Sequence, residues 1–166
     1  MSQNSTAEAN KKKDNSVKEE KTSLTKEDID SMTARQVMEK RYPTIDASKQ
    51  ISDAYELMTE LGLEYLPVVQ DQRVVRVLTK NSIETIRSAH FDAPGQDQRV
   101  ARLMCLPLSI VNNNQELITA KADDPVRKVM RVMSENKINS VPVVKDNGEI
   151  EGMITTHKIL KLICDV

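Results

Sequence analysis

Apolar residues at Ile51, Ala54, Tyr55, Met58 and Leu61 recur every three or four positions, and the same spacing returns at Val126, Val129, Met130 and Met133. That period puts each set on one face of a helix, so it predicts two amphipathic helices. Ser48 is placed to cap the first, and Asp124 followed by Pro125 to open the second. A short apolar run comes next in both, YLPVV at 65–69 and SVPVV at 140–144. Its proline has no ladder donor, which predicts a strand start or an edge strand. Polar turns at Asp71-Gln72 and Asp146-Asn147-Gly148 then lead into a second strand, making a hairpin that ends at Thr79 or Thr155. The stretches IETI at 83–86 and ILKLI at 159–163 read as closing helices.

The two readings are copies of one unit. Sliding the chain 75 positions lays Ile51 on Val126 and Pro67 on Pro142; after a one-residue gap opposite Gly148, RVLT at 76–79 falls on GMIT at 152–155. Met58, Glu60, Pro67, Val68, Val69, Asp71, Thr79 and Ile83 are identical in the second copy. The apolar positions match as well, so two related units of about 60 residues follow.

The entrances differ. A helix holding Val37 and Met38 leads quickly to a strand PTID at 43–46, whereas Leu103 and Met104 are further from the matching ITAK at 118–121. The additional residues, with three asparagines at the turn, predict an inserted hairpin near 108–120. The organisation is then a charged disordered tail at 1–30, a first unit at 31–91, a turn-rich linker at 92–98 and a second unit at 99–166. The fold class is α/β, two β-α-β-β-α units.

Composition narrows the function. With 24 Lys and Arg against 25 Asp and Glu the formal charge is -1, which lacks the basic balance of a nucleic-acid binder. No apolar run reaches the roughly 18 residues of a membrane span, and the opening residues lack a secretory core, so a cytoplasmic protein is expected. Cys105 and Cys164 are not at metal-ligand spacing and read as two buried thiols in a reducing compartment. Gly62, Gly95, Gly148 and Gly152 are too scattered for a phosphate loop, and no hydrolase or metalloprotease motif is present. No catalytic residue, no metal site and no required cofactor is expected.

The tandem order of strand, helix, strand, strand and helix, with Pro-Val-Val in the middle strand and a threonine closing the next, resembles a pair of cystathionine β-synthase (CBS) domains, the Bateman module. The resemblance covers residues 31–166. It implies two units packed with pseudo-two-fold symmetry, and clefts between them that bind AMP, ATP, S-adenosylmethionine or a cyclic dinucleotide. It places Thr44, Leu66, Pro67 and Val68 around a base in one cleft and Thr119, Val141, Pro142 and Val143 around a base in the other. Thr79 and Thr155 would face ribose or phosphate. It also implies a homodimer through the helices of the two units, with Met58, Met130 and Met133 read either as part of that interface or as each unit's own core.

The family's T-x-x-D signature is altered in both copies: Ser82 stands three residues after Thr79, and Lys158 three after Thr155. A serine offers one hydrogen bond to a ribose hydroxyl, while a lysine ammonium only donates and favours an anion. The resemblance therefore implies a non-catalytic regulatory module that binds an adenine nucleotide and signals to an effector protein. The alternative is a ligand-independent dimerisation or scaffold protein on the same fold.

Overall fold

The computed structural model describes residues 26–88, 102–110 and 116–164. Residues 1–25 of the expected tail, the linker at 92–98 and the asparagine turn of the expected hairpin lie outside these residues, while 26–30, placed in that disordered tail, are helical. The elements are α1 (Lys26–Ser31), α2 (Ala34–Val37), β1 (Glu39–Lys40), β2 (Ile45–Asp46), α3 (Ile51–Glu60), β3 (Tyr65–Gln70), β4 (Arg73–Thr79) and α4 (Lys80–Ser88). A 3-10 turn at Leu108–Ile110 precedes α5 (Val126–Glu135), β5 (Ser140–Val144), β6 (Ile150–Thr155) and α6 (Thr156–Cys164). Both copies of the expected helix-hairpin-helix body are present.

Local chemistry sets the boundaries. In α3 the periodic residues Ile51, Ala54 and Met58 are buried on one face; in α5 the buried face is Val126, Val129 and Met133. Both helices leave through the same hydrogen-bonded exit. Leu63 N–H donates to Met58 O (2.8 Å) and Ile138 N–H to Met133 O (3.0 Å), while the preceding Gly62 and Lys137 take φ of +64° and +54°. This is the Schellman closure, which suits glycine and strains lysine. The first hairpin turns on Asp71 and Gln72, both left-handed at φ +50° and +65°, the geometry whose twist matches the flanking strands.

Ser48 does not cap α3, correcting the expectation above. The helix begins at Ile51 behind Gln50, whose N–H donates to Asp53 Oδ2 (2.9 Å). Ser48 N and Oγ both donate instead to Asp46 Oδ1, at 2.9 and 2.6 Å, closing a turn before the helix. The two cysteines are exposed rather than buried, Cys164 at the last residue of α6 and Cys105 just past a helical turn at 102–104.

Each unit has its own sheet, ordered β2-β3-β4 in the first and β1-β6-β5 in the second. Parallel pairing of Ile45 with Val68 is repeated as a single bridge between Ala120 and Val143. The expected ITAK strand is thus reduced to one bridging residue. Pro67 lies within the central strand β3, not at a start or an edge, and pairs with Val77. It is tolerated because the parallel ladder begins one residue later, at Val68. In the second unit Pro142 O accepts from Ala120 N–H (3.0 Å), and its missing N–H falls where that ladder has not yet started.

The entrance segments are exchanged between the units. Ala34, Val37 and Met38 share a core with Val126, Val129, Val141 and Ile154 of the second unit, while Leu108 joins Ile51, Met58, Leu66 and Ile83 of the first. The backbone bonds that hold them repeat as well. Val126 N–H donates to Met32 O (2.9 Å) and Ile51 N–H to Leu106 O (3.1 Å); Ala34 N–H donates to Asp124 O and Leu108 N–H to Lys49 O, both at 2.8 Å. β1 completes the exchange by pairing antiparallel with β6. Each unit's core is therefore closed by chain from before the other unit's repeat, which ties the two together.

Candidate functional site

The strand-to-helix junctions are built alike. Thr79 Oγ1 accepts from Ser82 N–H (3.1 Å), and Thr155 Oγ1 accepts from Lys158 N–H (3.2 Å). Each threonine thus caps a helix while keeping its own hydroxyl proton to donate. The Ser82 hydroxyl donates to Thr79 O (2.6 Å), so its proton is already spent. Lys158 is exposed on α6.

The apolar positions lie deeper. Leu66, Val68, Val141 and Val143 are at most 1% exposed, and Pro67 and Pro142 are buried beside them. These side chains form the cores beneath the β3 and β5 strands. Thr44 is half-buried, whereas Thr119 is exposed beside a narrow recess of about 20 Å³ that also touches Asp124 and Lys128. The residues implied by the resemblance therefore do not converge as one set of side chains.

A larger cavity of about 190 Å³ lies between the units. Tyr65, Arg76 and Thr79 line it from the first, and Glu116, Lys137 and Ser140 from the second. Thr79 is the member of the expected set that reaches it. The backbone of Tyr65 is fixed from behind, because Tyr42 Oη donates to Tyr65 O (3.0 Å). Burial, then the charge of Glu39, pushes the Tyr42 hydroxyl up to about 12.

Arg76 reaches the cavity from a bulged strand. Pairing steps from Val68 opposite Arg76 to Val69 opposite Val74, leaving Val75 as an additional residue in β4. One guanidinium nitrogen, Nη1, is buried with no hydrogen-bond partner. A buried donor left unpaired is costly, so the Arg76 guanidinium carries hydrogen-bonding capacity that no group among the described residues uses. Sequence reasoning missed Arg76, Lys137 and Ser140. The signal was in the repeat itself: Arg76 and Lys137 fall on Gly152 and Gly62 of the other copy. Among the described residues no cluster of His, Cys, Asp or Glu could hold a metal, and no helix is long and apolar enough to cross a membrane.

The sequence profile of the CBS domain matches residues 34–85 and 110–165, more than half of the chain. The chain is a member of the CBS-domain family. Each profile match falls on one copy of the helix-hairpin-helix body. A homoserine O-acetyltransferase from Methanosalsum zhilinae is 25% identical over 136 residues, which is 81% of this CBS protein but 25% of the relative. An uncharacterized protein, MJ1225, from Methanocaldococcus jannaschii is 29% identical over 114 residues, covering 68% of the chain and 40% of the relative. The CBS chain thus spans a quarter to two fifths of the length of these curated relatives.

Solved structures show the same fold. MJ1225 superposes with a TM-score of 0.69 at 22% identity, covering 80% of this chain and 48% of that one. The CBS domain pair of protein MJ0100, in complex with 5′-methylthioadenosine and S-adenosyl-L-methionine, gives 0.60 at 24% identity over 79% of this chain and 94% of that one. CBSX2 in complex with AMP gives 0.64 at 18% identity over 78% and 93%.

Proposed function

We propose that this CBS pair is a non-catalytic regulatory module that binds an adenine nucleotide between its units and passes occupancy to a partner protein. The observation that carries the reading is the inter-unit cavity, walled by both units and holding the free hydroxyl proton of Thr79 at a strand-to-helix junction. Two solved CBS structures of the same fold carry adenosine-containing ligands, 5′-methylthioadenosine with S-adenosyl-L-methionine in one and AMP in the other. A ligand that touches both walls prefers one mutual packing of the units, and it shifts that equilibrium by its difference in affinity. The exchanged entrance segments carry the shift outward, since each is bonded to the opposite unit. Exposed unpaired cysteines suit a reducing compartment, consistent with the cytoplasm.

A second reading, a scaffold that keeps the fold without a ligand, draws on the T-x-x-D positions. Ser82 has spent its proton on Thr79 and Lys158 faces outward, so neither offers a ribose acceptor like the family's carboxylate. Thermal shift and titration calorimetry with AMP, ATP, S-adenosylmethionine and cyclic dinucleotides separate the two. Ligand at 100 times its dissociation constant adds about 2.7 kcal/mol of stability. Silence from every adenine compound at millimolar concentration removes the regulatory reading and leaves the scaffold.

A further inference from the structure

The two basic side chains of the inter-unit cavity both stand where the other copy of the repeat has glycine. Arg76 falls on Gly152, and Lys137 on Gly62. Neither placement is one that the fold requires, because β6 and the exit from α3 build the same structures with glycine. Lys137 holds φ at +54°, a left-handed conformation that is strained for any residue with a Cβ. Arg76 keeps Nη1 out of water without a partner. The ion pairs of the described residues engage neither cation.

Two locally unfavourable placements therefore converge on one cavity and bring positive charge to it. Glu116 on the same wall offsets part of that charge, and the excess stays cationic. The cavity holds about 190 Å³, below the roughly 300 Å³ at which pockets begin to enclose a drug-sized ligand. It has room for a phosphate and part of a nucleoside, with the remainder at the mouth. Arg76 is buried only in part as a whole residue, so a turn of its terminal bonds can aim Nη1 at an oxyanion.

We propose that Arg76 and Lys137 form an anion subsite that holds the phosphate of the bound nucleotide, so that this cleft is read chiefly through phosphate rather than through ribose. The inference rests on the nucleotide reading above and adds which part of the ligand is recognised. Arg76 supplies directional hydrogen bonds and Lys137 a mobile point charge.

The test is titration calorimetry on the full chain with adenosine, AMP and inorganic pyrophosphate, for the wild type, Arg76→Met and Lys137→Gly. Lys137→Gly relieves the strained φ, so a loss of binding there cannot come from failure to fold. The wild type is expected to favour AMP over adenosine by about tenfold or more, the range of a charge-assisted hydrogen bond. That preference falls in both variants, and in the wild type it shrinks as salt is raised. An unchanged preference in both variants, or equal wild-type affinity for AMP and adenosine, overturns the anion subsite and leaves the nucleotide reading standing. Pyrophosphate binding that needs Arg76, with neither adenosine nor AMP binding, upholds the anion site and removes AMP as its ligand. Absence of binding by all three overturns the subsite together with AMP as the ligand.

Discussion

Arg76 and Gly152 hold the same register in the two hairpins, Arg76 opposite Val68 and Gly152 opposite Val143, yet Gly152 lies directly under β1. A Cβ at Gly152 would stand 2.7 Å from Glu39 O and 2.9 Å from Met38 Sδ. The same repeat position thus serves opposite ends. Without a side chain it admits the exchanged strand; with a long basic one it furnishes the cleft.

Gly152→Ala should therefore destabilise the protein by about 1 to 3 kcal/mol, the usual cost of overpacking, since the nearest atom is backbone and cannot swing aside. Urea unfolding measures the cost, and hydrogen exchange should show lost protection at Glu39 and Lys40. A variant as stable as the wild type would mean that β1 is not seated against β6.

Tyr42→Phe should cost about 1 kcal/mol by removing the bond to Tyr65 O. The pH dependence gives a second readout. The Tyr42 hydroxyl is raised from 10.0 to about 12 in the fold, so the folded state disfavours its ionised form. This contribution is complete below pH 10 and is lost as pH rises through 12. Urea midpoints at pH 9 and 11 should fall less in Tyr42→Phe than in the wild type.

Asp124 holds the entry to α5, accepting from Lys121 N–H (2.8 Å) and Lys128 Nζ (2.7 Å). The backbone N–H bond from Lys121, followed by the side-chain bond from Lys128, holds its carboxyl below the ordinary 3.8. The resulting stability is present above pH 3.8 and is lost as pH falls through the lower folded value. Asp124→Ala should cost about 1 kcal/mol at pH 7. Its denaturation midpoint should converge on that of the wild type as the pH falls through that lowered value.

The outer faces of the two units differ in chemistry. On the first, Arg87 stacks over Tyr55 with 4.3 Å between guanidinium carbon and ring centroid. On the second, the repeat-equivalent residues are Ile163 and Met130, and Leu160, at 53% exposed, stands where the first copy has Glu84. An open groove of about 430 Å³ between α5 and α6 is lined by Met130, Leu160 and Ile163. We expect a homodimer through this face. Sedimentation should give a dimer mass for the wild type and a monomer for the double variant Leu160→Glu, Ile163→Arg. A wild-type monomer at every concentration would end the dimer proposal.

Periodicity and repetition were enough to read both helix-hairpin-helix bodies, because Ile51, Ala54 and Met58, like Val126, Val129 and Met133, are fixed by local helical spacing and the hairpins by local turn residues. Burial was less legible. Leu66, Val68, Val141 and Val143 are apolar strand residues that suit either a core or a ligand wall, and packing assigned their side chains to the core. The exchange of entrance segments had no signature in the chain, since Ala34 and Leu108 look like core residues without naming which core. That choice belongs to long-range packing. Arg76 and Lys137 were visible as departures from the repeat, but their meeting at one cavity depends on how the two units face each other, a relation no local pattern encodes.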